Sequence, residues 1–129
     1  MATEFKRKVM TNVPAGTITA AAQQLYQAGA NTDTVVIGLL LTNTSGSSIT
    51  ADVLINTETG TSGPIGSLVN TDVYLIKGAQ IPVGSALEII SGKVVLANTT
   101  STATNGDVLC VRASVASSMD ATLSLLENT

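Results

Sequence analysis

One stretch, TVVIGLLLT from Thr34 to Thr42, most constrains how this chain can fold. Successive side chains of a β-strand point to opposite faces of its sheet. Counting alternate residues gives two apolar faces: Val35, Ile37, Leu39 and Leu41 on one, and Val36, Gly38 and Leu40 on the other. A strand that is apolar on both faces has to be covered on both. Because a two-layer sandwich covers only the inner face, we expect a loop, a terminal arm or another subunit over the outer face.

The rest of the chain indicates further short strands separated by turns. Runs rich in Val, Ile and Thr alternate with clusters of Gly, Asn and Ser, which is typical of all-β proteins. The predicted strands lie near Lys6–Met10, Ile18–Ala22, Gln24–Ala28, Thr34–Thr42, Thr50–Asn56, Asp72–Lys77, Ala86–Ile90, Lys93–Ala97, Val108–Ala116 and Ala121–Leu126. Their number and spacing predict one antiparallel β-sandwich, jelly-roll-like or immunoglobulin-like. Residues 1–31 would form an N-terminal arm and the first strands, and residues 32–129 the sandwich core.

Two of these strands are predicted to be neighbours. In the stretch IPVGSALEIISGKVVL, the pair Ser91-Gly92 is typical of a tight turn between antiparallel strands. The core candidates on this pair are Leu87, Ile89, Val94 and Leu96. Ile90 would fall on the opposite face, just as Leu126 would lie opposite Leu123 and Leu125.

The composition indicates association with other protein surfaces. Only 12% of the residues are charged, and the mean hydropathy is +0.39. A soluble monomer of this composition would expose large apolar patches, and such patches usually mark association surfaces. We therefore expect an oligomer or a component of a larger assembly.

The charge distribution argues against nucleic acid as a partner. The net charge is −3 and aromatic residues make up 2% of the chain, whereas nucleic-acid modules usually carry basic stripes or aromatic stacking platforms. The one basic cluster, Lys6-Arg7-Lys8, is either a solvated strand end or a contact for an acidic partner surface. The longest apolar run, Val35 to Leu41, is far too short to span a bilayer. With no secretory signal evident, synthesis in the cytoplasm is expected.

The residues common in catalytic sites are scarce, so we expect no enzyme, metal or cofactor. The chain has no His and a single cysteine, Cys110, which reads as a small buried hydrophobe. The glycine-rich segment Gly60 to Ser67 lacks the Lys of a phosphate-binding loop. A hydrolase would need converging carboxylates. Glu58, Asp72 and Glu88 are candidates only if the fold brings them together.

Three successive segments resemble the small β-sandwich virion proteins of tailed bacteriophages. They are TDTVVIGLLLTNTSGSSITADVLI, VYLIKGAQIPVGSALEIISGKVVL and GDVLCVRASVASSMDATLSLLE, which together cover roughly Thr32 to Glu127. The resemblance implies a jelly-roll-like structural protein of the phage particle, most simply a head decoration (cement) protein. It would bind itself as a dimer or trimer, and the major capsid protein or another virion protein. It also implies a place on the capsid surface. The charge distribution and the short apolar runs argue against a nucleic-acid or membrane partner.

Three alternatives to a cement role remain open at this point. The chain could be a neck, collar or tail structural protein, or a carbohydrate-binding adhesin module that stacks sugars on Tyr26 or Tyr74. A small hydrolase would require the carboxylate pair. For the structural role, the predicted interface residues are Val36 and Leu40 of the two-faced strand and the basic residues Lys6, Arg7 and Lys8.

Overall fold

The computed structural model describes residues 3–18, 23–57, 71–90 and 93–129. Within these ranges the chain forms strands and, among its connections, a short 3₁₀ turn at Ala103–Asn105. The strands are β1 Thr3–Met10, β2 Gln24–Gln27, β3 Thr32–Asn43, β4 Ile49–Asn56, β5 Asp72–Ile81, β6 Ala86–Glu88, β7 Val94–Asn98, β8 Val108–Ala113 and β9 Met119–Asn128. The predicted loop Gly60 to Ser67, the turn Ser91-Gly92 and most of the strand Ile18–Ala22 lie outside the described residues.

Two antiparallel sheets pack against each other, which confirms the predicted all-β sandwich. The first sheet has the order β1-β9-β3, with β6 and β7 both paired to the far side of β3, and the second has the order β2-β8-β4-β5. Each sheet has four strands side by side, if β6 and β7 are counted as one, and strands consecutive in the chain mostly lie in opposite sheets. This is the strand order of a jelly roll. Both β1 and β2, from the segment predicted as an arm and first strands, take part, one in each sheet.

The core lies between the sheets and is built from aliphatic side chains. Its largest fully buried members are Leu39, Leu41, Ile81, Leu96, Leu109, Met119, Leu123 and Leu125. Each such side chain stabilises the fold by roughly 1.5–3 kcal/mol relative to an exposed position. Tyr26 is the one aromatic residue in this cluster.

The predicted face assignment of β3 is wrong because the strand contains a β-bulge. The register between β3 and β9 shifts between Val36 and Gly38, which leaves Ile37 as the extra residue. A bulge inserts one residue and reverses the alternation beyond it. Val36 therefore faces the core, fully buried opposite Leu125, whereas Ile37 is 46% exposed. Val36 does not lie on the outer face where the sequence placed it.

The predicted hairpin of neighbouring strands is also wrong. β6 and β7 do not pair with each other: β7 pairs antiparallel with Thr32–Val36 of β3, and β6 pairs antiparallel with Leu40–Thr42. The two short strands follow one another along one edge of β3, which is 12 residues long. The bulge separates their two pairing segments. The strand β3 thus forms backbone hydrogen bonds with two different strands along the same edge. Turn residues in the sequence do not reveal this arrangement.

The core candidates on these two strands divide by depth. Leu96 is fully buried, whereas Leu87, Ile89 and Val94 are partly buried and pack against the core. Ile90 belongs to the buried core, contrary to the prediction that it faces away. The chain leaves β-structure after Glu88, so the alternation of strand faces no longer applies to Ile89 and Ile90.

Part of the outer face of the second sheet is covered by the chain itself. Ile18 packs there with Leu54, Val108 and Cys110 in a second buried cluster. The predicted burial of Cys110 is confirmed, and burial raises the pKa of its thiol to about 11. In the described parts of the chain, no helix is both long and apolar enough to cross a membrane.

Polar contacts fasten this covering segment. Arg112, on β8, forms an ion pair with Asp52 on β4 and donates a hydrogen bond to the carbonyl of Gly16 at 3.1 Å. Asp52 also accepts a hydrogen bond of 2.7 Å from the amide of Gly78. The segment that carries Ile18 is therefore tied to two strands of the sheet that it covers.

Candidate protein-interaction surface

The outer face of the first sheet carries a row of apolar side chains that crosses four strands. Phe5 of β1 lies opposite Leu126 of β9, Leu126 lies opposite Val35 of β3, and Val35 lies opposite Val95 of β7. Leu125, next to Leu126, is fully buried in the core. Because neighbours on a strand alternate, Leu126 and the three residues in register with it face outward. These four residues are the apolar row.

The apolar row is open to solvent at both of its ends. Phe5 is 80% exposed and Val95 is 58% exposed, whereas Leu126 and Val35 in the middle are partly buried. Directly opposite side chains on a sheet stand about 4.5–5.5 Å apart, so the four form one continuous strip. No segment among the described residues covers them, whereas Ile18 covers part of the outer face of the second sheet.

A second row on the same face adds two apolar residues. Val9 lies opposite Thr122, Thr122 opposite Leu40, and Leu40 opposite Glu88. Leu40 is 40% exposed, and it is joined on this face by Ile37 from the bulge. The outer face is therefore mainly apolar and small-polar.

Charged side chains stand mostly at its rim. Arg7, opposite Ser124 in the row between the two apolar rows, lies at the β1 edge of the face. Asp33 and Asp120 occupy the first and last outward-facing rows of the β3–β9 ladder. Together with Glu88 at the opposite edge, these charges frame an apolar centre, the arrangement of many protein interfaces.

The structure separates the predicted interface residues into three places. Arg7 and Leu40 lie on the outer face, one row apart. Lys6 and Lys8 lie in register with the buried Leu125 and Leu123, so they project from the other side of β1. Val36 is in the core.

Sequence reasoning missed most of the apolar row. The predictions did not name Phe5 or Val95 for a surface, and they placed Val35 on the same face as the core residue Leu39. Alternation within EFKRKV, residues 4–9, could have shown that Phe5, Arg7 and Val9 share one face of β1. The other face then carries Glu4, Lys6 and Lys8. The position of Val95 in the row depends on its pairing with Val35, which the sequence does not reveal.

A polar cluster joins the two sheets on the other side of β1. Lys6 Nζ lies 2.7 Å from Glu127 Oε1, and the Tyr26 hydroxyl donates a hydrogen bond to Glu127 Oε2. Since the single hydroxyl proton of Tyr26 goes to the carboxylate, Thr34 Oγ1 donates to the Tyr26 oxygen, at 2.8 Å. Tyr26 belongs to the second sheet and Glu127 to the first, so these bonds link the layers.

The protonation of the cluster follows from its contacts. Burial alone would raise the pKa of Glu127, but hydrogen bonds from Lys6 and Tyr26 outweigh it and hold the pKa below its ordinary value. The hydrogen bond to Glu127 raises the pKa of Lys6. Burial, and then the hydrogen bond to Glu127, raises the pKa of Tyr26. The cluster thus holds a carboxylate, an ammonium and a neutral phenol at neutral pH, which suits a structural link between the sheets.

Of the candidate carboxylates, the two that the structure describes lie in different sheets. Asp72 begins β5 in the second sheet, where it accepts a hydrogen bond of 2.7 Å from Asn56, and Glu88 ends β6 in the first sheet. Glu58 lies outside the described residues. Within the described ranges there is no group of three or more Cys, Asp or Glu side chains placed to hold a metal ion.

The two tyrosines differ in their access to ligands. Tyr26 is buried in the polar cluster, so its ring is closed to a sugar. Tyr74 is partly exposed, and Lys77 Nζ stands 5.0 Å from the centre of its ring. The cation therefore occupies one face of that ring.

Comparisons with known proteins assign the chain to no family. No protein-family model matches it, and no curated protein and no solved structure matches it.

Proposed function

We propose that the chain is a non-enzymatic structural protein of a bacteriophage particle, a decoration (cement) protein that stabilises the head by bridging capsid subunits. The observation that carries the proposal is the uncovered apolar face of the first sheet. The jelly-roll strand order supports it, since this fold recurs in viral coat proteins, and so does the resemblance of Thr32 to Glu127 to phage virion proteins.

The outer face has the properties that a capsid contact requires. A stable contact between proteins buries about 1,600 Å² in total, and its centre is depleted in charge. The apolar row and the second row with Val9 and Leu40 give such a centre, with Arg7, Glu88, Asp33 and Asp120 placed around it. Repeated over many copies, even a contact of standard size would fasten neighbouring capsid subunits.

Location and copy number on purified particles of a phage that encodes this chain test the proposal first. We expect a copy number comparable to that of the major capsid protein, and loss of the genome at a lower temperature from particles made without this chain. A copy number that fits a single ring would instead indicate the neck, collar or tail alternative. Absence from the particle, or unchanged heat tolerance without it, would contradict the cement role.

A matched pair of substitutions tests the surface itself. Val95 and Val115 are equally exposed, at 58%, but Val95 ends the apolar row and Val115 lies between β8 and β9. In co-sedimentation with particles that lack the protein, we expect Val95→Asp to weaken binding roughly tenfold or more, because a charge is placed in an apolar contact. Val115→Asp should bind like the unmodified chain. Equal binding by both variants would show that the apolar row is not the contact.

The adhesin alternative has less support. Sugar-binding faces usually need open aromatic rings. Tyr26 is buried, and Lys77 lies over one face of the Tyr74 ring. A glycan array with the purified chain distinguishes the two functions, because a cement protein should bind none of its sugars.

A further inference from the structure

We propose that two copies of this chain pair through their β1 strands. The two strands run antiparallel about a two-fold axis at Phe5, and the first sheets of the two copies join into one continuous sheet. The bridging use of this dimer rests on the proposed function, whereas the pairing itself can be tested on the isolated chain. It names the partner of the β1 edge as a second copy of the same strand.

The β1 strand has the form of an unused sheet edge. It is eight residues long, it pairs on one side with β9 along its whole length, and no described strand pairs with its other side. Its residues from Thr3 to Val9 are all exposed. A long edge strand presents a row of free backbone donors and acceptors and is a template for another strand.

Symmetry limits how two such strands can pair. A two-fold axis perpendicular to the sheet places one residue of β1 directly opposite the same residue of the partner. A residue that lies n positions before it in the chain is then opposite the partner's residue n positions after it. The registers that pair five or more residues of β1 put the axis at Phe5, Lys6, Arg7 or Lys8.

Charge selects one of these registers. With the axis at Lys6, Arg7 or Lys8, a cation stands directly opposite its own copy, and like charges in opposed positions destabilise a sheet. With the axis at Phe5, the opposed pair at the centre is aromatic, and Glu4 lies opposite the partner's Lys6 twice, once on each side of the axis. The register with its axis at Lys6 also places Glu4 opposite the partner's Lys8, but it opposes the two Lys6 side chains. Only the Phe5 register pairs opposite charges and opposes no like charges.

The same register makes the apolar row continuous across the dimer. Phe5 ends the row of one copy, so its partner's Phe5 would continue it into a second set of four. At roughly 4.8 Å per strand, the eight side chains would span about 34 Å of the sheet surface. Two copies would then present one apolar strip on one face, long enough to contact two neighbouring subunits at their joint.

A disulfide trap tests the register. At the axis the two copies of residue 5 have Cα atoms about 4.5–5.5 Å apart, within the range of a disulfide. We expect Phe5→Cys to form a covalent dimer under mild oxidation, since Cys110 is buried and does not compete. Arg7→Cys is the matched control on the same face. In this register its two copies stand roughly 14 Å apart along the strands, so it should not cross-link.

Solution mass and a charge substitution test the pairing without a covalent bond. Sedimentation equilibrium of the unmodified chain should give twice 13.1 kDa, with a dissociation constant that Glu4→Lys weakens roughly tenfold or more, because two opposite-charge pairs become like-charge pairs. Glu88→Lys makes the same charge change at the other edge of the sheet and should leave the constant unchanged.

The possible outcomes separate the two proposals. A chain that stays monomeric at all concentrations, or a dimer in which Phe5→Cys does not cross-link, overturns the β1 pairing whatever the particles show. A dimer that is confirmed but does not bind particles overturns the cement role and leaves the pairing in place.

Discussion

The hydroxyl of Tyr26 donates a hydrogen bond to the carboxylate of Glu127, and this bond ties the second sheet of the sandwich to the first. Lys6 reaches the other oxygen of the same carboxylate at 2.7 Å. The strands β1, β9 and β2 are thus held at one carboxylate. The stability of the sandwich edge should therefore depend on the ionisation of Glu127.

Acid should weaken this link. Because the pKa of Glu127 is below its ordinary value of 4.5 in the folded protein, its contribution is complete above that ordinary value and is lost as the pH falls through the folded-state pKa. We expect Glu127→Gln to lower the free energy of unfolding by about 1–2 kcal/mol at pH 7. The difference from the unmodified chain should shrink on acidification below about pH 4.5.

Urea denaturation at a series of pH values from 7 downward measures this difference. Glu88→Gln removes an exposed carboxylate from β6 and serves as the control. Parallel curves for Glu127→Gln and the unmodified chain over the whole acid range would contradict the role given to Glu127.

Gly106 should be intolerant of any side chain. A Cβ atom at this position would lie 2.2 Å from the carbonyl oxygen of Ala28, which is backbone and cannot move aside. The two segments approach closely because the amide of Ala28 donates a 3.0 Å hydrogen bond to the carbonyl of Asp107. We expect Gly106→Ala to cost roughly 1–3 kcal/mol of stability, measured by thermal or urea unfolding.

Gly38 offers the matched control for this prediction. It lies on the outer face of β3, and a Cβ built there meets no atom within 4 Å. Gly38→Ala should be neutral, or stabilising by up to about 1 kcal/mol, because alanine has less backbone freedom to lose. If both substitutions were equally tolerated, the close contact at Gly106 would be wrong.

Neighbouring leucines of β3 should differ sharply on truncation. Leu41 is fully buried between the sheets, and Leu40 is on the outer face. We expect Leu41→Ala to destabilise the isolated chain by about 2–5 kcal/mol and Leu40→Ala by about 1 kcal/mol or less. Val36→Asp and Ile37→Asp extend the test across the bulge: the first should abolish folding, and the second should be tolerated. If Val36→Asp were tolerated and Ile37→Asp abolished folding, β3 would have no bulge and its side chains would alternate regularly through Ile37.

The ion pair on the second sheet should hold its covering segment in place. Asp52 is buried, pairs with Arg112 and accepts a hydrogen bond from the amide of Gly78. Asp52→Ala should lower the free energy of unfolding by about 1–3 kcal/mol. It should also speed amide hydrogen exchange in the segment around Gly16 and Ile18, because Arg112 loses its anchor. Asp33→Ala, at an exposed position of β3, should change neither. Unchanged exchange near Gly16 in Asp52→Ala would contradict this link.

Local sequence was sufficient to predict most strands and the fold class. The β-branched runs and the turn residues between them depend only on local backbone preferences, and strands found at Gln24–Gln27, Ile49–Asn56 and Val108–Ala113 overlap those predicted. The burial of Cys110 could also be predicted from local sequence, because Cys110 is an uncharged residue inside an apolar run.

Tertiary pairing decided which side chains face outward. Alternation predicts faces only while the register is unbroken, and the bulge at Ile37 exists because β3 has to match β9, a strand some eighty residues later in the chain. The same long-range pairing set β6 and β7 end to end beside β3 and brought Phe5, Leu126, Val35 and Val95 into one row. The sequence by itself determined that an apolar surface had to exist, and only the strand register decided where it lies.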